Sequence, residues 1–371
     1  MKEVSNIENF LNCDYIYLPI LNNSQIYYKE GDYIYKNEVL LENNENKVYS
    51  SVSGKVLGST TINNKKYIVI DNDYKDKLKT RFGTKKYINK YSKEEFIELV
   101  DKFNLIDNFN SNSKVLIVNG IDEYIEELNY NVLLKEYTIQ ILDCIDALID
   151  IMNIKKCFLA VSNNDINVVD ILLNNIGTYP KIDLKLFSNS LTIGNKNILI
   201  NKLTSYKNKK YPVLYLNIKD ILNIYNVLKK GRKNSYTYIT LTGNLIDYSK
   251  VLRVKIGTSL SDIVDYYKIN NKDIIINGLL NGKKLNNTNF IIDNNIRSIF
   301  INSNEEIKEN ECINCGLCVN NCPVNINPKY MYFNKDNKAL DYKKRCVNCG
   351  LCSYYCPSHI KLNKGCNNDT K

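Results

Sequence analysis

The spacing of hydrophobic and polar positions changes several times along the chain. Up to about residue 80, short segments bearing Tyr, Val and Ile alternate with Gly and Asn. Residues 24–33, 38–42, 47–56 and 66–70 read as strands and tight turns. Gly31-Asp32 marks one turn. Ser53-Gly54-Lys55-Val56 marks a second, in which glycine would supply a positive φ. From about 94 to 231 the period lengthens. Residues 94–103 suit a helix, 114–119 a buried strand, and 138–152 a helix with Ile141, Ile145, Leu148 and Met152 on one face. Strand and helix then alternate through 157–161, 167–176, 183–187, 213–218 and 220–230, with Gly231 placed as a helix stop. That alternation predicts an α/β layer with a largely parallel sheet. From 236 to about 302, strands at 236–241, 251–255 and 274–276 accompany a helix at 263–267. Ser259 and Asp262 have capping-box spacing before that helix, and the whole reads as a compact α+β module. Residues 303–311 are polar and read as a linker.

Composition narrows this picture. With 371 residues, 44% of them hydrophobic, the chain is long enough for two or three domains and too apolar for wholesale disorder. The formal charge of +10 is scattered, and by itself it fits nucleic acid, anionic lipid or an acidic redox partner equally well. No recognised nucleic-acid module accompanies it, and Tyr is spread through strands and helices, so nucleic acid is the weakest of the three. No apolar run reaches the roughly 18 residues of a spanning helix. The opening residues carry no charged and then apolar leader, so a reducing, cytoplasmic setting is expected.

The cysteines carry the chemistry. Of twelve, nine fall in the last sixty residues. Residues 311–323 read ECINCGLCVNNCP and 345–357 read RCVNCGLCSYYCP. Each is a C-x2-C-x2-C-x3-C-P run of the kind that holds cubane iron–sulfur clusters, and in two-cluster proteins the fourth Cys serves the other cluster. The expected ligand sets are therefore Cys312, Cys315, Cys318 and Cys356 for one cluster, and Cys322, Cys346, Cys349 and Cys352 for the other. Zinc sites usually present C-x2-C pairs at longer separations, which argues against zinc. Gly316 and Gly350 sit where the chain turns closely past sulfur, and Pro323 and Pro357 fix φ after the fourth ligand. Eight thiolates on two dicationic cores would lower the net charge to about +6. Lys329, Lys335, Lys338, Lys343, Lys344 and Arg345 surround the runs. The sole histidine, His359, reads as a surface residue or one supporting the neighbouring ligand rather than a catalyst, and Cys366 as outside both sets. Cys13, Cys144 and Cys157 are isolated, and the last two sit in apolar helix and strand contexts, where burial is expected. Two clusters in one small fold indicate a one-electron relay.

Together with the order of domains, the double run resembles the C subunit of the Rnf electron-transport complex. Its relatives include the flavin subunit of respiratory complex I and an electron-transfer protein associated with proline reductase. The resemblance rests also on Gly31-Asp32, on Ser53-Gly54-Lys55-Val56, on Thr240-Leu-Thr-Gly243 followed by 251–260, and on 352–362. It implies a multidomain α+β chain in four parts. Residues 1–90 would be a β domain of the barrel-sandwich-hybrid type and 91–235 an α/β domain like the flavin- and NADH-binding one. Residues 236–302 would be a β-grasp module of the soluble-ligand-binding type, and 303–371 a two-cluster ferredoxin domain. It further implies membrane-embedded or peripheral Rnf subunits as partners, a ferredoxin-like or NADH-linked donor or acceptor, and a place at the cytoplasmic face of the membrane.

Three departures matter. Where the family has a glycine-rich phosphate loop, this chain reads NLIDNFNSNSK at 104–114. The acidic Glu-Cys-Glu-Pro-Tyr motif is reduced to Ile121-Asp122-Glu123-Tyr124, leaving Asp122 and Glu123 as the candidates for a nucleotide-facing role. The family's Gly-Gly-Pro-Met-Met-Gly appears as 277–282, NGLLNG. FMN and NADH binding are thereby in doubt, and the expectation is an electron-transfer subunit more than a self-contained enzyme. The competing expectations are a soluble carrier serving a proline-reductase-like enzyme and a standalone flavin-dependent NADH dehydrogenase.

Overall fold

The computed structural model describes residues 7–366 apart from 12, 45, 80–82, 125, 189–190, 205–211, 270–272, 281 and 303–307; most of the expected linker thus lies outside the described residues. The first unit is built from short antiparallel strands. Tyr15–Pro19, Lys65–Asn72, Gly54–Ile62 and Tyr33–Ile34 pair in that order, and Gln25–Ile26, Val39–Glu42 and Lys47–Tyr49 form a second small sheet. Ile16, Ile34 and Ile70 from the first meet Leu40 and Leu41 from the second in one core. Gly31 has the positive φ expected of its turn, at 92°. Gly54 differs from expectation: it opens a strand and does not lie in the left-handed region. Glycine is needed there for space, because a Cβ would run into the carbonyl of Asp71 on the neighbouring strand.

The second unit is a four-stranded parallel sheet, ordered Ile182–Phe187, Lys156–Ser162, Val115–Gly120, Val213–Asn217. Successive side chains of the central strand point to opposite faces. Leu116 and Val118 join the main core, while Ile117 packs with Ile121, Ile193 and Leu199 on the other side. Helices on both faces explain why the strand is apolar throughout. The helix Lys93–Phe103 begins with a Ser92/Glu95 capping box, and Ile218–Lys230 with one from Asn217 and Asp220. The latter ends at Gly231 in the left-handed conformation, as its sequence predicts. Thr138–Met152 buries Ile141, Ile145, Leu148 and Met152 along the expected face.

A mixed six-stranded sheet follows, ordered Ile7–Phe10, Lys250–Lys255, Tyr236–Gly243, Ser298–Asn302, Asp273–Ile276, Lys283–Leu285. Its first strand comes from the beginning of the chain, pairing in parallel with the distant 251–254 segment. The helix Leu260–Tyr266 closes the sheet's core with Leu260, Ile263 and Val264. Ser259 caps it through the N–H of Ser261, one residue earlier than a capping box requires, while the Asp262 carboxylate accepts the Ser259 N–H. The last unit has only short helices around a small apolar centre of Cys352, Ile360 and Leu362. Among the described residues no helix is long and apolar enough to cross a membrane.

Candidate metal centres

The two cysteine runs fold alike. Each presents two cysteines on a loop, turns at a left-handed glycine (Gly316, φ 76°; Gly350, φ 78°), and places a third cysteine on a one-turn helix, Leu317–Asn320 or Leu351–Tyr354. The fourth cysteine lies beyond that turn and crosses over. Cys312, Cys315, Cys318 and Cys356 line one cavity of about 210 Å3, and Cys322, Cys346, Cys349 and Cys352 line a second, smaller one. Among the described residues no group of three His, Cys, Asp or Glu side chains converges on a point where a single ion could sit. The four thiols of each quartet stand around a cavity.

The donor chemistry fits an iron–sulfur cluster. Backbone N–H groups of Lys329 and Val319 point at the sulfur of Cys318, that of Leu351 at Cys349, and that of Asn348 at Cys346, 3.3 Å away. These donors stabilise charge on thiolate sulfur. Burial pushes the Cys352 thiol up to about 12 and raises Cys318 and Cys349, so ligation must displace their protons.

The loops diverge in their surroundings. At the first, Ile313 is 67% exposed, Leu317 39%, and Cys315 is exposed beside them. At the second, Val347 packs on the Ile117–Ile121 cluster of the parallel sheet, and Leu351 is only 6% exposed. Gly350 lies against Leu280, whose Cβ and carbonyl oxygen would be 2.7 Å from an added Cβ, and Asn363 donates to that same carbonyl at 3.1 Å. Residues 277–280 thus hold the second loop, with Gly278 passing tightly over the Tyr124 ring.

Asp122 and Glu123 do different things. The Asp122 carboxylate accepts the N–H of Tyr130 at 2.9 Å in the first turn of the helix Asn129–Glu136, and burial, with Glu127 nearby, raises its pKa well above the usual range. It supports the fold. Glu123 lines a cavity of about 620 Å3 between the parallel and six-stranded sheets, together with Lys196, Tyr215, Lys219 and Lys233, and meets Arg297 at 3.3 Å. Lys219 donates to the Thr237 hydroxyl and the Asn294 carbonyl oxygen, and burial, then the Arg297 charge, lowers its pKa to about 8. A small cavity lined by Glu123, Tyr124, Leu280 and Cys349 lies beside this one, toward the second cysteine set. Arg297 and Lys219 escaped the sequence reading; the available signal was an Arg in a chain whose cations are overwhelmingly Lys.

The 104–114 segment has no glycine, and hydrogen bonds tie down its two ends. The N–H groups of Asn104 and Leu105 close the end of the preceding helix onto Asp101 and Val100, and those of Asn112, Ser113 and Lys114 go to Asn110 and Pro212.

Cys144 and Cys157 are buried as expected, Cys144 toward the Ile221 carbonyl, and Cys13 is buried against Thr258. Burial pushes Cys13 up to about 11 and Cys157 to about 12, leaving them unreactive. His359 is exposed, and the Cys366 side chain lies outside the described residues.

The geometry defines the class: a dicluster ferredoxin-type unit docked on an α/β unit and a mixed sheet. Residues 311–360 match the family described as 4Fe-4S dicluster domain, and this end of the chain carries two 4Fe-4S cluster sites. Over most of its length the chain is similar to the C subunit of the ion-translocating oxidoreductase complex of Buchnera aphidicola subsp. Baizongia pistaciae, at 24% identity over 85% of this chain and 69% of that protein. It is similar also to the C subunit of the proton-translocating ferredoxin:NAD(+) oxidoreductase complex of Clostridium ljungdahlii, at 24% identity over 82% of this chain and 72% of that one. The resemblance to the Rnf C subunit read from the sequence therefore holds. A chain of a solved NAD+-reducing NiFe hydrogenase in the H2-reduced state shares the fold, with a TM-score of 0.51 and 9% identity over 76% of this chain; this chain spans 61% of that one.

Proposed function

We propose that this chain transfers single electrons through two 4Fe-4S clusters as the C subunit of an Rnf-type ion-translocating oxidoreductase complex. Cys312, Cys315, Cys318 and Cys356 would hold one cluster, and Cys322, Cys346, Cys349 and Cys352 the other. The carrying observation is that each crossed quartet lines one cavity. When bound, the clusters supply reversible one-electron redox chemistry at the thiolates. The chain's own residues hold them, donate N–H groups to sulfur and screen one site from water. The relatives are C subunits of ion-translocating complexes, which supports other subunits of such a complex as partners and a place beside the membrane through them. As the resemblance implies, we read the first unit as a barrel-sandwich hybrid, the six-stranded sheet as a β-grasp module and the parallel sheet as a domain resembling the flavin- and NADH-binding one.

The test is anaerobic reconstitution of the full chain with analysis of iron, acid-labile sulfide and zinc. About eight iron and eight sulfide per chain are expected from two cubanes. Zinc without sulfide in natively folded protein sinks the reading. NADH added to the reconstituted chain alone should leave cluster absorbance unbleached, because 104–114 has no glycine to let a phosphate approach the backbone.

A further inference from the structure

We propose that Lys329 and Asn363, which hold equivalent positions in the two halves of the cysteine-rich unit, give the two centres unequal reduction potentials, so that electrons run from the covered second centre to the exposed first. The inference rests on the ligation reading above and adds the direction of the relay and the residues that set it. The halves repeat at an offset of 34 residues: Cys312 corresponds to Cys346, Cys322-Pro323 to Cys356-Pro357, Ile326 to Ile360 and Lys329 to Asn363. The structure keeps this correspondence in space. Ile360 lines the first cavity and Ile326 the second, while Lys329 lines the first and Asn363 the second.

At these equivalent positions the chemistry differs by one charge. Lys329 is the only charged residue among the described residues that line the first cavity. Its backbone N–H donates to the Cys318 sulfur, and its ammonium donates to the Asn314 side-chain oxygen, which lies 4.0 Å from the sulfur of Cys312. Asn363 is neutral and turned to its neighbours: it exchanges hydrogen bonds of 2.8 and 3.0 Å with the Ser353 hydroxyl and donates to the Leu280 carbonyl. Among the described residues no charged one lines the second cavity, where Val324, Ile326, Met331 and Val347 stand beside the thiols. One equivalent pair opposes this contrast. Arg345 reaches the Val324 carbonyl at 3.4 Å, and its counterpart in the first half is Glu311. Arg345 is half exposed and paired with Asp341, and Glu311 is exposed, so water screens both.

Reduction adds one negative charge to a centre. A neighbouring ammonium and nearby water stabilise that charge, and an apolar wall does not. Both differences act in the same sense: the first centre, with Lys329 in its wall and Cys315 exposed, holds an electron more tightly than the second. The step balances as one electron leaving the reduced second centre and one arriving at the oxidised first; no proton moves and no bond changes.

The test is a redox titration of the full, anaerobically reconstituted chain with dithionite and mediators, followed by electron paramagnetic resonance. Two one-electron midpoints are expected in the wild type. Lys329→Gln keeps the backbone donor to Cys318 and removes the charge. It should lower the higher midpoint by about 59 mV, the one-electron equivalent of a tenfold shift in the electron's distribution, and leave the lower one in place. Lys329→Arg, which keeps the charge, should keep both. Asn363→Lys should raise the lower midpoint and narrow the gap. Iron, acid-labile sulfide and circular dichroism should match the wild type in every variant, which separates a change of charge from a change of fold. A fully loaded wild type with coincident midpoints overturns this proposal alone, as does a loaded Lys329→Gln chain whose higher midpoint stays in place or whose lower one moves instead. A wild-type chain that takes up no iron overturns the ligation reading, and this proposal with it.

Discussion

The loops 312–318 and 346–352 differ at a single position, Ile313 against Val347, yet they live in opposite environments. The same seven-residue pattern gives both the same left-handed glycine, the same one-turn helix and the same presentation of sulfur. What separates them comes from elsewhere in the chain. Leu280 and the face of the parallel sheet cover the second loop, while the first meets solvent. Local sequence sets the ligand geometry, and tertiary contact assigns the position in the relay. The covered loop faces inward beside the cavities around Glu123, and the open one faces out.

Paired substitutions test this contrast, and the largest effects should come from the ligands. Cys315→Ser and Cys349→Ser should each remove or impair one cluster, seen as a fall in iron toward half and in the visible absorbance. Only the Cys349 variant should also lower the melting temperature of the body of the protein, since its sulfur lies at the junction with Tyr124 and Leu280. Equal melting temperatures for the two would break the inner–outer assignment. Next in size, Leu351→Ala should cost about 2–5 kcal/mol by opening a cavity, against about 0.5 kcal/mol or less for the exposed Leu317→Ala; denaturant titration of the holoprotein measures both. Gly350→Ala adds a collision with Leu280 to the left-handed penalty. It should cost about 1–3 kcal/mol more than Gly316→Ala, which meets open space and loses only about 1–2 kcal/mol. The subtlest effect is kinetic. Under a ferric chelator and limited air, iron should leave in two phases, and the Gly350→Ala variant should speed the slower phase more than the faster one.

Much of this was legible in the sequence, for identifiable reasons. The 138–152 helix and its buried stripe, the Gly231 stop and the apolar central strand follow from local periodicity and caps, which need no knowledge of the rest of the fold. The cysteine spacing encodes a loop and a crossover, and the structure gathers the eight thiols into two quartets. Other features depend on distant partners. Gly54 looked like a turn glycine because its constraint, the carbonyl of Asp71, lies on another strand. Arg297 could not be joined to Glu123 from spacing, since they come from different units. The inner and outer loops were indistinguishable as text because the residue that separates them, Leu280, belongs to neither.

The strand Ile7–Phe10 has a consequence for how the molecule is made. Its partner, 251–254, is synthesised only after two thirds of the chain has followed it. On the ribosome the opening residues must therefore wait unpaired while the first β unit and the parallel sheet form behind them. Until they return, the strand Lys250–Lys255 has one unprotected flank, an opening for another nascent chain to dock by mistake. Correct assembly thus requires this early strand to find a segment made much later, a slow non-local closure.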